Sequence, residues 1–203
     1  HPRARLYATQ WTGPPVAGRE PCLAGLAWQW DGVDFRVLHP AAGGASGRDN
    51  ELSCVLAIEG PGGSALLTGD IGARSEATLV AEARLQATDL VVAPHHGSRS
   101  SSSPAFVAAL RPRHVVFATG HANRWGFPKP DVVARWRAAG ACTFDTAATG
   151  ALRFAAAPGA GLRLARAERI DVQPLWRRPG HLDDCARRAS PGPVYSGAGF
   201  VAP

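Results

Sequence analysis

The sequence lacks several features that would have placed it in a functional class at once. No apolar run approaches the roughly 20 residues that a membrane-spanning helix needs. No two of the four cysteines form a CxxC pair, which argues against a zinc knuckle, and no internal repeat is visible. No signal peptide precedes the apolar and turn residues that follow His1-Pro2-Arg3. We therefore expect either a cytosolic protein or, as we favour, a piece of a longer chain whose targeting lies elsewhere.

Lysine is almost absent, because Lys129 is the only one and arginine supplies the rest of the 22 basic residues. Against 16 acidic residues the formal charge is +6, which favours an acidic partner only weakly. An arginine excess is as typical of a GC-rich coding sequence as of phosphate binding, and much of it lies in the C-terminal tail. The 203 residues, 45% hydrophobic and 19% charged, are enough for one globular domain with a real core.

The four cysteines fall into two kinds of sequence. Cys54 and Cys142 lie in apolar, strand-like runs, where we expect buried thiols. Cys22 and Cys185 lie in loop-like sequence. A disulfide between them is possible in an oxidising compartment, although nothing in the sequence requires it.

Apolar periodicity predicts an α/β fold. We predict strands over residues 5–9, 33–38, 53–59, 64–68, 90–93, 115–118, 142–144 and 151–154, and helices over residues 75–85, 104–110 and 130–139. The turn Gly60-Pro61-Gly62-Gly63 predicts a hairpin between the third and fourth of these strands. The helix over residues 75–85 is a crossover between the strands at residues 64–68 and 90–93. These two strands should therefore be parallel and end at the same edge of the sheet.

Polar side chains follow these parallel strands where each one ends. Asp70 follows residues 64–68, and His95 and His96 follow residues 90–93. A carboxylate and imidazoles at strand ends are a common way to hold a divalent metal. Taken alone, Asp70 is more typical of a turn or a helix N-cap than of a metal ligand, and the histidine pair shifts this balance. Adjacent histidines at a bent strand end allow one ring to face a metal while the other donates a hydrogen bond, whereas the plainer alternative is a loop pair that caps and stacks.

The serine-rich run after the histidines predicts an anion site. Ser98 and Arg99 precede Ser103, a good N-cap, and Pro104, a good first helical residue. Backbone N–H groups at a helix start beside hydroxyls and an arginine suit a phosphate. The alternative is a flexible serine loop that ends in a simple cap.

Further residues are expected near the same edge of the sheet, because they flank strand ends. The polar ones are Asn50, Ser53, His121 and Asn123. Trp125 and Phe127 lie in the loop after the third parallel strand. For these two rings we favour a hydrophobic lid or a core contact over a platform on which bases stack.

The segments RDNELSCVL, LLTGDI, the following helix with Glu76, DLVVAPHHGSRSSSS and ATGHANRWGFP resemble a known family. They are similar to the C-terminal metallo-β-lactamase-like domain of ComEC-family DNA internalisation (competence) proteins, over roughly residues 22–154. The resemblance implies the second half of an αββα sandwich, with Asp70 as the bridging metal ligand and His95 as the late histidine ligand. In the family this domain is proposed to be a metal-dependent nuclease that degrades the DNA strand that is not taken up.

Two departures from the family pattern qualify what the resemblance implies. The HxHxDH motif that supplies most metal ligands of this fold is absent, so the chain looks like a fragment that begins after it. Many relatives carry a histidine before the proline of the last loop, where this sequence has Phe127. We therefore expect the isolated chain to bind metal weakly or not at all and to be inactive.

The resemblance leads to a functional hypothesis for the intact protein. We expect part of a metal-dependent hydrolase, a nuclease or phosphodiesterase, within a DNA-uptake membrane protein that acts in natural transformation. Asp70 and His95 would bind Zn or Mn, and Asp70 and His96 would act in catalysis, with His96 orienting a ligand or assisting proton transfer. Ser98, Arg99 and Ser103 would hold phosphate. The expected partners are single-stranded DNA and the rest of a longer, membrane-embedded chain, with this domain on the periplasmic side of the inner membrane.

Two alternatives and a domain division complete the expectations. The first alternative is a degenerate, non-catalytic module of the same fold that binds DNA or docks on partners, and the second is another small-molecule hydrolase of this fold. We assign residues 1–157 to the partial metallo-β-lactamase-like domain. Residues 158–203 are expected to form an arginine- and proline-rich extension that is peripheral or poorly ordered.

Overall fold

The computed structural model describes residues 6–8, 19–42 and 49–172. Its strands are β1 (Leu6–Ala8), β2 (Arg19–Pro21), β3 (Ala27–Trp30), β4 (Val33–His39), β5 (Val55–Gly60), β6 (Gly63–Leu67), β7 (Leu90–Val92), β8 (His114–Phe117), β9 (Cys142–Asp145), β10 (Leu152–Ala157) and β11 (Gly161–Ala167). Its helices are α1 (Ala73–Ala81), α2 (Pro104–Leu110), α3 (Pro130–Ala138), α4 (Thr146–Thr149) and α5 (Glu168–Asp171). Short 3₁₀ segments cover Asp49–Leu52 and Pro94–Gly97.

The main sheet has seven strands in the order β3-β4-β5-β6-β7-β8-β9, which is also their order in the chain. Strands β3 to β6 pair antiparallel, and β6 to β9 pair parallel. The predicted hairpin, the predicted parallel strands and the α/β fold class are confirmed. The carboxyl ends of β6, β7 and β8 therefore lie side by side at one edge.

Helices α1, α2 and α3 cover one face of this sheet. Phe106 of α2 and Trp136 of α3 are completely buried there. Their rings meet edge to face, with centroids 6.4 Å apart. Leu79 of α1 and the strand residues Val91 and Val115 complete the centre of this core. Each such side chain contributes roughly 1.5–3 kcal/mol on burial, so this layer fixes the strand ends that follow it.

The hairpin β10–β11 covers part of the opposite face. Leu164 of β11 is fully buried against Val116 and Phe144 of the sheet. Burial on both faces explains why all four residues of β8 are buried. The predicted boundary between residues 157 and 158 falls inside this hairpin, in which Gly161–Ala167 is paired with β10, and the division into domain and extension stays a prediction. The rest of the predicted extension, from residue 173, lies outside the described residues.

The cysteine predictions were wrong for the residues that can be checked. Cys22 is bonded to Cys54, with their Cα atoms 6.0 Å apart, so the Cys22–Cys185 pair that the sequence left open does not form. The segment after Cys22 runs along the end of β4, since Ala24 N–H donates to the Pro40 carbonyl at 2.7 Å. Because β5 pairs with β4, Cys54 at its start is brought to Cys22. Cys142 is also disulfide-bonded and not a free thiol.

Among the described residues, none of the helices has the length and apolar character needed to cross a membrane.

Candidate metal and phosphodiester site

Asp70 and His96 meet at the edge formed by the carboxyl ends of the parallel strands. The Nε2 atom of His96 lies 3.3 Å from Oδ1 of Asp70, and both side chains are partly exposed. The Nδ1 atom of His96 is 2.8 Å from the carbonyl oxygen of Ala118, which follows β8. A carbonyl only accepts, so Nδ1 carries the hydrogen, and Nε2 of a neutral ring has a free lone pair. Two acceptors facing each other require a positive species between them, either a proton or a metal ion.

The histidines lie in a turn of unusual backbone conformation. His95 (φ 48°) and His96 (φ 56°) are both left-handed, and Gly97 follows with φ 83°. A non-glycine residue in this region costs roughly 1–2 kcal/mol, so two in succession need compensation. His95 N–H donates to the Gly69 carbonyl at 3.0 Å, and the Ser101 hydroxyl donates to the Pro94 carbonyl at 2.8 Å. Strain held in this way is typical of functional sites, and here it directs His96 towards Asp70.

His95 is held by neighbours on both ring nitrogens. Its Nε2 lies 3.4 Å from Nδ2 of Asn50, and its Nδ1 lies 3.2 Å from Oγ of Ser100. The Phe127 ring contacts it edge-on at 5.9 Å. His95 is the metal ligand and His96 the orienting residue predicted from the sequence, whereas in the structure it is His96 that faces Asp70.

Ser53 belongs to the same group of residues. Its hydroxyl accepts from Asp70 N–H at 3.1 Å, which fixes the backbone beneath the carboxylate. Gly69 has φ 55°, and a Cβ there would lie 2.8 Å from Cβ of Ser53. This close approach explains the Thr-Gly-Asp order, because only glycine fits between Ser53 and the turn. The structure thus brings Asp70, His95, His96, Asn50 and Ser53 together.

The predicted anion site at the start of α2 is occupied by a carboxylate of the protein. Glu76, fully buried on α1, accepts from the N–H groups of Ser102 and Ser103, the latter at 2.7 Å. Burial raises the pKa of Glu76, and these hydrogen bonds only partly oppose that shift. Ser103 makes no side-chain cap. The phosphate-binding role of Ser103 stays a prediction, although its N–H group already has an acidic partner in Glu76.

The other predicted phosphate ligands are exposed and engaged with protein groups. Arg99 Nε donates to Oδ1 of Asp131 at 3.0 Å, in an exposed pair. The hydroxyl of Ser98 lies 3.0 Å from that of Ser100, which itself contacts His95. Exposed pairs of this kind contribute about 0–1 kcal/mol, so a phosphate could displace Asp131 from Arg99.

The loop after β8 carries His121 and Asn123, whose expected places at the edge of the sheet stay predictions. Asn123 closes this loop on itself, because its side chain accepts from Phe127 N–H and donates to the Phe127 carbonyl, both at 2.8 Å. His121 is exposed on the same loop. Trp125 is 58% exposed, which excludes the core contact but leaves the lid of the two expected roles.

Sequence reasoning missed three members of this region. The carbonyl of Ala118 leaves no sequence signal, because every residue carries one. Ser100 was hidden within a run of similar residues. Glu76 could have been found, because it shares a face of α1 with the apolar Leu79. A carboxylate on a buried face needs a hydrogen-bond partner.

The side chains at this edge offer few ligands to a metal ion. No group of three or more histidine, cysteine, aspartate or glutamate residues within the described ranges could hold one. Asp70 and His96 have the right chemistry and suit Zn²⁺ or Mn²⁺ as two members of a larger set. Two protein ligands rarely suffice, so the remaining ones would have to come from outside the described residues.

No family model matches the chain. Competence protein ComA of Neisseria gonorrhoeae is 38% identical over 179 residues, covering 86% of this chain and 24% of that protein. Recombination protein 2 of Haemophilus influenzae is 33% identical over 65% of this chain and 16% of its own length. The uncharacterized protein YcaI of Escherichia coli is 32% identical over 70% of this chain and 19% of its length. The chain thus spans less than a quarter of the length of these curated relatives, and it belongs to the ComEC family of competence proteins.

Proposed function

We propose that this chain is the C-terminal part of a metallo-β-lactamase-like domain that hydrolyses phosphodiesters of DNA during uptake. The observation that carries this proposal is the pairing of Asp70 with His96 at 3.3 Å, with the tautomer of His96 set by the Ala118 carbonyl. The relatives named for competence support a role in handling DNA. The fold supports it because ligands of open α/β sheets bind beyond the carboxyl ends of parallel strands.

Asp70 and His96 would hold a divalent metal together with ligands supplied by the preceding part of the full-length protein. When bound, such a metal lowers the pKa of a coordinated water and so supplies the nucleophile. The residues of this chain position that centre: Ser53 fixes the backbone of Asp70, and the Ala118 carbonyl fixes the ring of His96. His95, held by Asn50 and Ser100, packs beside His96 and can pass a proton to the leaving oxygen.

The disulfide supports a position outside the cytoplasm. Disulfides persist in oxidising compartments such as the periplasm and are rare in the cytosol. Cys22–Cys54 links the segment before β3 to the start of β5, close in sequence to Asn50 and Ser53. We propose that the domain faces the periplasm and works on DNA at the inner membrane.

The test uses the purified full-length protein with Mn²⁺ or Zn²⁺ and labelled single-stranded DNA. D70N and H96N should each lower cleavage by more than 100-fold, since loss of a partner behind a metal ligand alone costs about 10–100-fold. H95A should lower cleavage by the smaller factor of about 10–100. D34N is the matched control, because Asp34 is an exposed carboxylate on β4 that accepts a hydrogen bond from Gln29 of the neighbouring strand. Full cleavage and transformation by D70N and H96N would refute the hydrolase.

A second measurement addresses the incomplete donor set. Calorimetric titration of the isolated 203-residue chain with Mn²⁺ or Zn²⁺ should show weak binding or none, because only two ligands face each other. Sub-micromolar binding would contradict the proposal that most ligands lie elsewhere.

A second candidate function is a non-catalytic module that binds DNA. The observation in its favour is Phe127, whose apolar ring centroid lies 5.9 Å from that of His95, where the family resemblance implies a histidine. The same assay decides between the two candidates, because DNA binding without any cleavage by the unmodified full-length protein would favour the non-catalytic module.

A further inference from the structure

Four side chains form an aromatic and cationic surface beside the paired histidines, with Arg124 and Trp125 exposed and Phe127 and Lys129 half-buried. We define the aromatic platform as Arg124, Trp125, Phe127 and Lys129. The rings of Trp125 and Phe127 are nearly parallel, 12° apart, with centroids separated by 6.5 Å. The Arg124 guanidinium lies 4.5 Å from the centre of the Trp125 ring, and Lys129 Nζ lies 5.3 Å from that of Phe127. Proteins bind single-stranded nucleic acid with such surfaces, because bases stack on the flat rings and the cations contact phosphates.

The loop that carries the platform is fixed before any ligand arrives. Asn123 bonds both the N–H and the carbonyl of Phe127. Lys129 Nζ donates to the Trp125 carbonyl at 2.6 Å, and Lys129 N–H donates to the Gly97 carbonyl at 3.0 Å. The second of these bonds attaches the loop to the histidine turn. An ordered platform lowers the entropy lost on binding, which favours a functional surface over a chance exposure of tryptophan.

The position and charge of the platform identify its partner. Phe127 contacts His95, and His95 contacts His96, with ring centroids 5.9 and 6.4 Å apart. Neither cation of the platform has a carboxylate within ion-pair distance in the parts of the chain that the structure describes. The surface is therefore free to attract a polyanion and leads directly to the Asp70–His96 pair.

We propose that the aromatic platform stacks unpaired bases of a single DNA strand and so guides its backbone towards Asp70 and His96. This inference rests on the proposed function for its choice of DNA. It adds the requirement that the strand be single, since bases inside a duplex cannot reach an exposed ring.

The experiment measures binding of the 203-residue chain to a fluorescein-labelled thymidine strand of about 20 nucleotides, long enough to span one site. W125A should weaken binding by roughly 5- to 150-fold, the range expected for loss of one stacked base. W125F should retain most of it. W30A is the matched control, because Trp30 is 70% exposed on the edge strand β3, away from this loop. An abasic strand of equal length should bind the unmodified chain as weakly as the thymidine strand binds W125A.

The outcomes separate the platform from the hydrolase. If W125A or the abasic strand binds as tightly as the unmodified pair, the platform is wrong, whatever the protein cleaves. If the unmodified chain binds neither single strand, both the platform and the choice of DNA fail. In the full-length protein, D70N should lose cleavage and keep binding, so that a failure of hydrolysis is read separately from a failure of stacking.

Discussion

Two groups of polar side chains, both following strands of the parallel sheet, have opposite relations to solvent. At the strand ends, Asp70 and His96 face each other with partly exposed side chains and an acceptor opposite an acceptor. Beneath the surface, Glu76 is fully buried and its two oxygens receive the N–H groups of Ser102 and Ser103. Within the described residues, Asp70 and His96 each keep an acceptor atom without a hydrogen-bond donor, whereas both oxygens of Glu76 have one.

The comparison shows which polar clusters can bind a ligand. Buried polar groups are paired because an unpaired one costs about 1–3 kcal/mol, so pairing by Glu76 stabilises the fold and leaves nothing for a phosphate. The Asp70–His96 pair is held in a strained turn without satisfying itself, which points to a positive species supplied from outside. Whether a polar group already has all its hydrogen-bond partners, more than its residue type, separates these two clusters.

The largest effect on stability is expected for E76A. Two buried N–H groups lose their acceptor, which should lower the free energy of unfolding by about 2–6 kcal/mol in urea denaturation. E82A is the control, because Glu82 ends the same helix and forms a surface pair with Arg84. It should change stability by less than about 1 kcal/mol. Equal effects of the two variants would show that Glu76 does not hold the start of α2.

A glycine in the histidine turn should give the next largest effect. In G97A, a Cβ would lie 2.7 Å from both Phe117 and Pro128, and φ is already 83°. We expect a loss of about 2–4 kcal/mol from the conformation and the overlap together. G140A is matched to it, since Gly140 has φ 89° but nothing within 4 Å of the added atom.

The difference between these two glycine variants measures packing alone. G140A should lose about 1 kcal/mol from its conformation only. If thermal or urea unfolding gives the same loss for both variants, the histidine turn is not locked against Phe117 and Pro128. Its strain would then need another explanation.

The third prediction concerns a buried histidine on the far side of the sheet. His114 is 5% exposed, and its Nδ1 has no hydrogen-bond partner among the described residues, while Nε2 donates to the Leu162 carbonyl. Burial lowers the pKa of His114; the Leu162 carbonyl and Asp89 oppose that shift, and Arg113 reinforces it. Below pH 6.5 the unfolded chain takes up a proton that the folded chain refuses. Stability should therefore fall as the pH drops below that value, by up to about 1.4 kcal/mol per pH unit.

The check is urea denaturation between pH 7.5 and about 5, compared with H114F. The phenylalanine keeps the ring contacts with Phe144 and Phe154 and cannot titrate. Glu76 acts in the opposite direction, because its raised pKa makes stability fall as the pH rises above 4.5. The difference between the two proteins isolates His114, and an unchanged slope in H114F would contradict its assignment.

Much of this arrangement could be predicted from the sequence, for identifiable reasons. The α2 prediction matched at both ends, because proline at its start and a polar turn at its end are local signals. The prediction that Asp70 and the histidines meet followed from the parallel order of β6 and β7, which a crossover helix requires. The α1 prediction ran four residues too far, since Ala83 takes a positive φ that its side chain does not announce.

What the sequence could not supply was long-range pairing. The Cys22–Cys54 bond depends on the register of β4 against β5, and Glu76 reaches Ser102 across the core. The strand Gly161–Ala167 was missed because its alternation is weak, with arginine on the exposed face and Leu164 as its only large buried residue. Which histidine faces Asp70 depends on two left-handed residues in a row, a conformation that no local pattern indicates.

The smallest effect on stability should come from R99A. This variant tests whether Arg99 belongs with the ligand-binding residues or with the structural ones. Its exposed pair with Asp131 contributes about 0–1 kcal/mol, so R99A should unfold almost like the unmodified chain. If Arg99 exchanges Asp131 for a phosphate, R99A should nevertheless lower the slope of log Kd against log salt for single-stranded DNA by about 0.7. D131N is the matched variant, because it frees Arg99 and should tighten DNA binding. A large loss of stability in R99A would place Arg99 with Glu76 as a structural group, and an unchanged salt slope would remove it from the DNA surface.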